Sequence, residues 1–160
     1  MTRSRWTLGA AVIAVAALAA GGVAIASGSS ADISRPVRIH VIDVGTADVF
    51  RDLAPKGPSE GDLFTFSDKV VSSSNRSRVV GHLDGQCVLM LPKQNRFECH
   101  ATSSFFDRGS ITSEGIFIPA EGHVNTFAVN GGSGIFKNAR GEVKFHAIPV
   151  GQDVTYYLIP

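Results

Sequence analysis

The stretch that decides the fold is Phe127–Val143, which reads FAVNGGSGIFKNARGEV. It contains three closely spaced glycines, Gly131, Gly132 and Gly134. Glycine permits a positive φ and a close approach of two backbones. We therefore expect a tight corner between strands, with Phe136 and Val143 in apolar surroundings and Arg140 near the corner. A phosphate-binding loop would need Lys-Ser or Lys-Thr followed by a helix. Here a β-type run follows instead.

From Pro36 onward, the chain consists of short alternating runs separated by Gly, Pro, Asn and Asp. No stretch of ten or more residues has a helical period. The spacing of about 8–12 residues between turn signals predicts an all-β barrel or sandwich, and residues 54–61 form the one long loop. The predicted runs are Val37–Val44, Asp62–Val71, Arg78–Gly81, Gln86–Leu91, Arg96–Ser104, Ser110–Ile118, Val124–Val129, Glu142–Ile148 and Val154–Ile159.

The two cysteines of the chain, Cys87 and Cys99, flank a predicted hairpin turn at Pro92–Gln94. Pairing Leu91 with Asn95 across this turn would place Cys87 opposite Cys99. The same register sets Met90 opposite Arg96 and Leu89 opposite Phe97. Closely spaced antiparallel partners have Cα atoms about 4.5 Å apart, within reach of a disulfide. We therefore predict a Cys87–Cys99 disulfide.

The first 26 residues are typical of a secretory signal peptide. Arg3 and Arg5 precede an apolar run at Leu8–Val23, and Ala24–Ala26 supplies the small-residue cleavage pattern. The alternative is an uncleaved anchor, because the apolar stretch is nearly long enough to span a bilayer. The sequence thus predicts a signal peptide at 1–26, a flexible tether at 27–35 and a β-barrel domain at 36–160. Export would favour the disulfide.

Charge and histidine spacing exclude several classes of partner. Residues 1–26 hold two of the 15 basic and none of the 14 acidic residues, so the exported chain would carry 13 basic and 14 acidic residues. Without a basic stripe, no nucleic-acid partner is expected. The five histidines lack ligand spacing, and we predict neither a metal nor a cofactor. Membrane contact is expected only through an uncleaved N-terminal segment, and homo-oligomerisation is left open.

Four segments, taken in chain order, resemble the motifs of the allene oxide cyclase family. The first three match its G-D-L-x-x-F-x-x-K, G-x-C-V and R-F-E strands, and the fourth matches its A-I-T-G-G-x-G-I-F-x-x-A-x-G-x-V segment. The fourth also resembles the G-T-G-x-F-x-x-A-R-G signature of dirigent proteins. The resemblance covers about Ile39 to Leu158. The four segments are Gly61–Lys69, Gly85–Val88, Arg96–Glu98 and Phe127–Val143.

The resemblance implies an eight-stranded antiparallel barrel whose apolar lumen suits a small hydrophobic molecule. The polar cluster of the plant cyclases falls here on Val41, Asp43, Asp68, Cys87 and Phe117, where those enzymes carry glutamate, asparagine, asparagine, cysteine and tyrosine. The loss of the glutamate and the tyrosine argues against that particular epoxide rearrangement.

What the resemblance leaves is a pair of carboxylates, Asp43 and Asp68, as candidate catalytic acid–base groups. Two carboxylates in one apolar cavity would share a proton. The alternative is that each aspartate caps a turn or faces water. Candidate ligand-binding residues are Val41, Phe66, Cys87 and Phe117.

Two functions are therefore expected. The first is a secreted barrel that holds a small apolar molecule and guides its cyclisation or isomerisation. The alternative is a secreted barrel without catalytic activity that binds a lipid-like or aromatic ligand or contributes to the envelope surface.

Overall fold

The computed structural model describes residues 35–53 and 55–160, in which eight antiparallel strands close into a barrel. Each strand pairs with the next along the chain, and the last pairs with the first. The predicted eight-stranded antiparallel barrel is confirmed. Its strands are β1 (Val37–Arg51), β2 (Leu63–Ser72), β3 (Val79–Leu91), β4 (Arg96–Phe105), β5 (Gly109–Phe117), β6 (Val124–Gly132), β7 (Arg140–Ile148) and β8 (Gly151–Ile159).

The core lies inside the barrel because successive side chains of a strand point to opposite faces. Strand β4 shows this alternation, with every second residue from Phe97 to Phe105 buried. At one end the interior is closed by the corner that the glycine-rich segment predicts. A 3-10 turn at Gly134–Phe136 directs the Phe136 ring inward, where its centroid lies 5.4 Å from that of Phe105.

The expectations for this corner are confirmed. Phe136 and Val143 are 3% and 0% exposed. The Arg140 guanidinium donates hydrogen bonds to the carbonyls of Ala139, at 2.8 Å, and Asn130, at 3.3 Å. Gly134 has a φ of +60°, which favours glycine at this position.

Strand β1 runs seven residues beyond the predicted end at Val44. A β-bulge after Val44 interrupts its pairing with β2, which resumes at Ala47. Val44 pairs with Lys69 and Ala47 with Ser67, so Gly45 and Thr46 together oppose the single residue Asp68. One extra residue reverses which side chains face inward beyond the bulge. Asp43 is buried in the interior before it, and Asp48, an exposed residue, lines the lumen cavity after it.

The runs predicted separately at Arg78–Gly81 and Gln86–Leu91 are one strand, β3. Asp84-Gly85 has the composition of a turn but continues the ladder, with Gly85 paired to Phe66. A Cβ on Gly85 would lie 2.4 Å from Cζ of Phe66. The glycine therefore makes room for an aromatic ring rather than for a turn.

The predicted register of the cysteine hairpin is right at the cysteines and wrong at the turn. Cys87 pairs with Cys99, and Leu89 pairs with Phe97. Leu91, rather than Met90, pairs with Arg96, because a register shift leaves Met90 without a partner in the ladder. Asn95 adopts a left-handed conformation after the 3-10 turn Pro92–Gln94 instead of pairing with Leu91.

Asp62 organises the loop that joins β1 to β2. Its carboxylate accepts hydrogen bonds from the backbone N–H groups of Leu53 and Ser59, both at 2.8 Å. These two donors, Ser59 first, lower the pKa of Asp62 below its ordinary value. This loop borders the end of the barrel opposite the Phe136 corner.

The predicted signal peptide at 1–26 and nearly all of the tether at 27–35 lie outside the described residues. Within residues 35–53 and 55–160, no helix is long and apolar enough to cross a lipid bilayer.

Candidate functional site

A cavity of about 140 Å³ occupies the lumen toward the end of the barrel opposite the Phe136 corner. On β8, for example, Gln152 lines the cavity near the start of the strand, whereas Tyr156 packs against Phe105 near its end. The cavity is lined by Asp48, Phe64, Phe66, Asp68, Leu83, Cys87, Cys99, Ala101, Phe117, Phe127, Phe145 and Gln152.

Aromatic rings form much of the cavity wall. The rings of Phe64 and Phe66 stack with centroids 5.8 Å apart, and those of Phe127 and Phe145 lie 4.9 Å apart at a tilt. Phe127 lies against Gly115, where a Cβ would come within 2.6 Å of the ring. Such offset and tilted aromatic pairs are the favoured arrangements. The wall is therefore a built apolar surface.

The predicted disulfide between Cys87 and Cys99 is formed and lies in this wall, with Cα atoms 4.0 Å apart. Both cysteines are 2% exposed. Cys87 is therefore not a free thiol in the lumen, and the disulfide joins β3 to β4 beside Phe64, the partner of Cys87 on β2.

Asp43 and Asp68 form a buried acidic pair at one side of the lumen, with 2% and 6% exposure. Their carboxyl groups are within hydrogen-bonding contact of each other. The backbone N–H of Thr46, in the β1 bulge, donates to Oδ1 of Asp68 at 3.0 Å. Oδ1 of Asp43 has no hydrogen-bond partner among the described residues. The bulge thus fixes Asp68, and Asp43 approaches it from deeper in the barrel.

Burial is the main cause of altered acidity in this pair. Together with the negative charge of Asp68, it raises the pKa of Asp43 to about 8. Burial also raises the pKa of Asp68, while hydrogen bonds from Thr46 and Asp43 oppose that rise. The two carboxyl groups therefore titrate as a coupled pair, and burial favours a proton held between them.

Tyr156 extends this polar cluster toward the closed end. Its hydroxyl group is hydrogen-bonded to Oγ of Ser103 in the buried interior. Burial raises the pKa of Tyr156, and the hydrogen bond with Ser103 only partly opposes that rise. The phenol therefore stays neutral. The sequence pattern alone indicates an ordinary strand residue at this position, so it misses the hydroxyl beside the acidic pair.

The structure places the candidate site residues as follows. Asp68, Phe66, Cys87 and Phe117 line the cavity, and Asp43 reaches it through Asp68. Val41 lies elsewhere, buried nearer the closed end, where it lines a groove rather than the lumen cavity. Asp43 pairs with the cavity-lining residue Gln152, whereas Val41 pairs with Val154. Val41 therefore lies two residues nearer the closed end than Asp43.

Sequence reasoning missed seven residues that line the cavity, namely Asp48, Phe64, Leu83, Ala101, Phe127, Phe145 and Gln152. Phe127 and Phe145 could have been found by extending the period-two alternation along β6 and β7. Asp48 could have been found only by recognising Gly45-Thr46 as a bulge. Gln152 lies at the start of β8, ahead of the predicted run.

A second hollow, of about 320 Å³, continues from the cavity at the barrel rim, and the two share Phe117 and Gln152. Asn125 supports its wall, since its side chain accepts from the N–H of Ile118 at 2.8 Å and donates to the carbonyl of the same residue at 3.2 Å. Glu121 and His123 are the ionisable residues of this rim groove. In the described part of the chain, no three His, Cys, Asp or Glu side chains are grouped to hold a metal ion.

The sequence profile of the allene oxide cyclase family matches residues 39–159, and the chain belongs to that family. Solved structures share the fold. A pyocyanin demethylase has 22% identity and a TM-score of 0.67, over 77% of this chain and 100% of its own. The pterocarpan synthase dirigent protein PsPTS1 has 19% identity and a TM-score of 0.59, over 78% and 93%. AbnU, an exo-specific intermolecular Diels-Alderase, has 16% identity and a TM-score of 0.57, over 77% and 97%.

Proposed function

We propose that this protein holds a small apolar molecule in its lumen and guides the cyclisation or isomerisation of that molecule. The observation that carries the proposal is the aromatic cavity with the proton-sharing pair Asp43 and Asp68 at its wall. Membership of the allene oxide cyclase family supports it, as does the occurrence of the fold in proteins whose names describe small-molecule transformations.

The size of the cavity supports a ring-shaped guest. Its volume of about 140 Å³ is close to the roughly 150 Å³ of an engineered apolar cavity in another protein that binds benzene. A larger molecule would place one ring in the lumen and the remainder in the rim groove. Burial of an aromatic ring against Phe66, Phe117 and Phe127 supplies the binding free energy.

The acidic pair supplies the chemistry of the reaction. Isomerisation needs one proton removed from the ligand and one returned at another atom, so it requires no co-reactant. Asp68 faces the cavity and acts as the general base, taking a proton from an acidic C–H or O–H of the ligand. Asp43 passes its proton to one oxygen of Asp68 as the other oxygen of Asp68 returns a proton to the new position, and Asp43 then recovers a proton from Asp68. A carboxyl group with a pKa near the working pH suits both steps.

This assignment differs from that of the plant cyclases at four positions, two of which carry aspartate here in place of asparagine. Val41 cannot supply the glutamate, and Phe117 lacks the phenol, so proton transfer rests on Asp43 and Asp68. The uncharged Phe117 enlarges the apolar wall instead. We therefore assign the catalytic role to Asp68 and a proton-holding, positioning role to Asp43.

We also propose that the barrel domain, residues 36–160, works outside the cytoplasm after removal of residues 1–26. The disulfide supports this, because disulfides persist in oxidising compartments.

Native mass spectrometry of the protein purified from its own host tests the binding function. We expect an apolar compound that is released when the protein is denatured. Ala101→Leu adds three carbons inside the cavity, whereas Ala128→Leu adds them on the exposed face of β6. The compound should be absent from the first variant and present in the second. Wild-type protein free of any compound, or equal loading of both variants, would contradict the proposal.

A further inference from the structure

The ionisable side chains that line the cavity are acidic. Among its lining residues these groups are Asp48 and Asp68, and neither Lys, Arg nor His occurs there. An oxygen of each carboxylate lies 3.8 Å from the point where Gly45 would carry a Cβ. The two carboxylates therefore converge on the space above the β1 bulge, at the mouth of the lumen.

No basic side chain of the described residues offsets this charge from within the site. Lys69, next to Asp68 on β2, is exposed and points to the outside of the barrel. Asp48 makes no salt bridge with another residue in the described part of the chain. The rim groove adds Glu121, and its one basic group is His123.

Much of the rest of the wall consists of aromatic rings, whose faces are negatively polarised. Phe64, Phe66, Phe117, Phe127 and Phe145 surround the same space as the two carboxylates. Aromatic faces attract cations most strongly in a desolvated site. Rings and carboxylates thus favour the same kind of guest, and an anionic guest would meet repulsion from both.

We propose that, among small ring compounds that fit this largely apolar lumen, the site prefers those with a positive charge, that is, organic cations that contain an aromatic ring. This inference rests on the proposed lumen site and names its ligand class. The flat ring fits the aromatic walls, and Asp48 and Asp68 provide the counter-charge at the mouth. The rim groove, with Glu121, receives the substituents of a larger cation.

Three ring compounds of similar size separate charge from shape: N-methylpyridinium, toluene and benzoate. The first two have nearly the same outline and differ by one positive charge. Each is titrated at pH 7 into the disulfide-bonded protein, and the backbone amide signals of Ala101 and Phe127 are followed by NMR. We expect a Kd for N-methylpyridinium at least tenfold lower than that for toluene, and no saturable shift with benzoate.

Two variants assign the preference to the site. Asp48→Asn should reduce the ratio of the two dissociation constants at least threefold. Glu98→Gln, which removes the same charge from the exposed face of β4, should leave the ratio unchanged. An equal effect of both variants would overturn the assignment to the lumen.

The outcomes distinguish this inference from the function on which it rests. Toluene or benzoate binding as tightly as N-methylpyridinium overturns the charge preference while the apolar binding site stands. Failure of all three compounds to shift the lumen amides overturns both.

Discussion

Replacing Asp43 by asparagine should make the protein more stable at neutral pH. Folded Asp43 keeps its proton up to a pKa of about 8, whereas the ordinary pKa of an aspartate is 3.8. Between these values the folded state binds more protons than the unfolded state. The stability that protonated Asp43 contributes is therefore fully present below about pH 4 and is lost as the pH rises toward 8. Asparagine has nearly the same shape, stays neutral and still donates a hydrogen bond to Asp68.

The magnitude follows from the shift in the pKa. Each unit corresponds to about 1.4 kcal/mol. At pH 7 about three units separate the pH from the unfolded value, so ionisation in the unfolded state removes at most about 4 kcal/mol of stability. Asp43→Asn should therefore gain up to about 4 kcal/mol over the wild type between pH 4 and pH 7.

Urea unfolding at several values between pH 4 and pH 8, with the disulfide intact, measures this gain. The control is Glu98→Gln, which removes an exposed carboxylate and should follow the wild-type pH dependence. Parallel curves for Asp43→Asn and the wild type would refute the placement of a proton on Asp43 in the folded state.

Three further predictions concern the disulfide, export and the β1–β2 loop. Replacing Cys87 and Cys99 together by alanine should lower the free energy of unfolding by roughly 2–3 kcal/mol, because the bridge closes a short loop; urea unfolding measures this, and an unchanged midpoint would contradict it. N-terminal sequencing of protein from the host should give a start near residue 27, whereas an intact N-terminus in the membrane fraction would support the anchor. Asp62→Ala should speed hydrogen exchange at the two backbone amides that its carboxylate binds. The wild type should lose the same protection as the pH falls through the lowered pKa of Asp62, and equal exchange rates at neutral pH would argue against this role.

Simple alternation along most strands predicted an all-β barrel or sandwich, and the family resemblance singled out the eight-stranded barrel. The failures occur where tertiary contacts decide. Gly85 has the composition of a turn and lies within β3, since the Phe66 ring occupies the space of its missing side chain. The turn before Arg96 is one residue longer than predicted, because Leu91 pairs with Arg96 instead of Asn95. Met90 is skipped in the pairing, so the Cys87–Cys99 pair stays in the predicted register.

The site could be predicted only in part for the same reason. The family motif pointed to Asp43 and Asp68, and the structure brings their carboxyl groups together. Asp48 could not be found by alternation, because the bulge at Gly45-Thr46 reverses the inward face beyond it. The buried hydroxyl of Tyr156 is hydrogen-bonded to Ser103, which lies 53 residues earlier in the chain. Such pairings follow from barrel closure rather than from local sequence.

The proton shared by Asp43 and Asp68 is the central claim, and carboxyl ¹³C NMR titration of the two residues tests it most directly. We predict two coupled steps, with the Asp43 signal changing at a midpoint of about 8 and the Asp68 signal responding in both steps. Two independent titrations near the ordinary aspartate value of about 3.9 would contradict the claim.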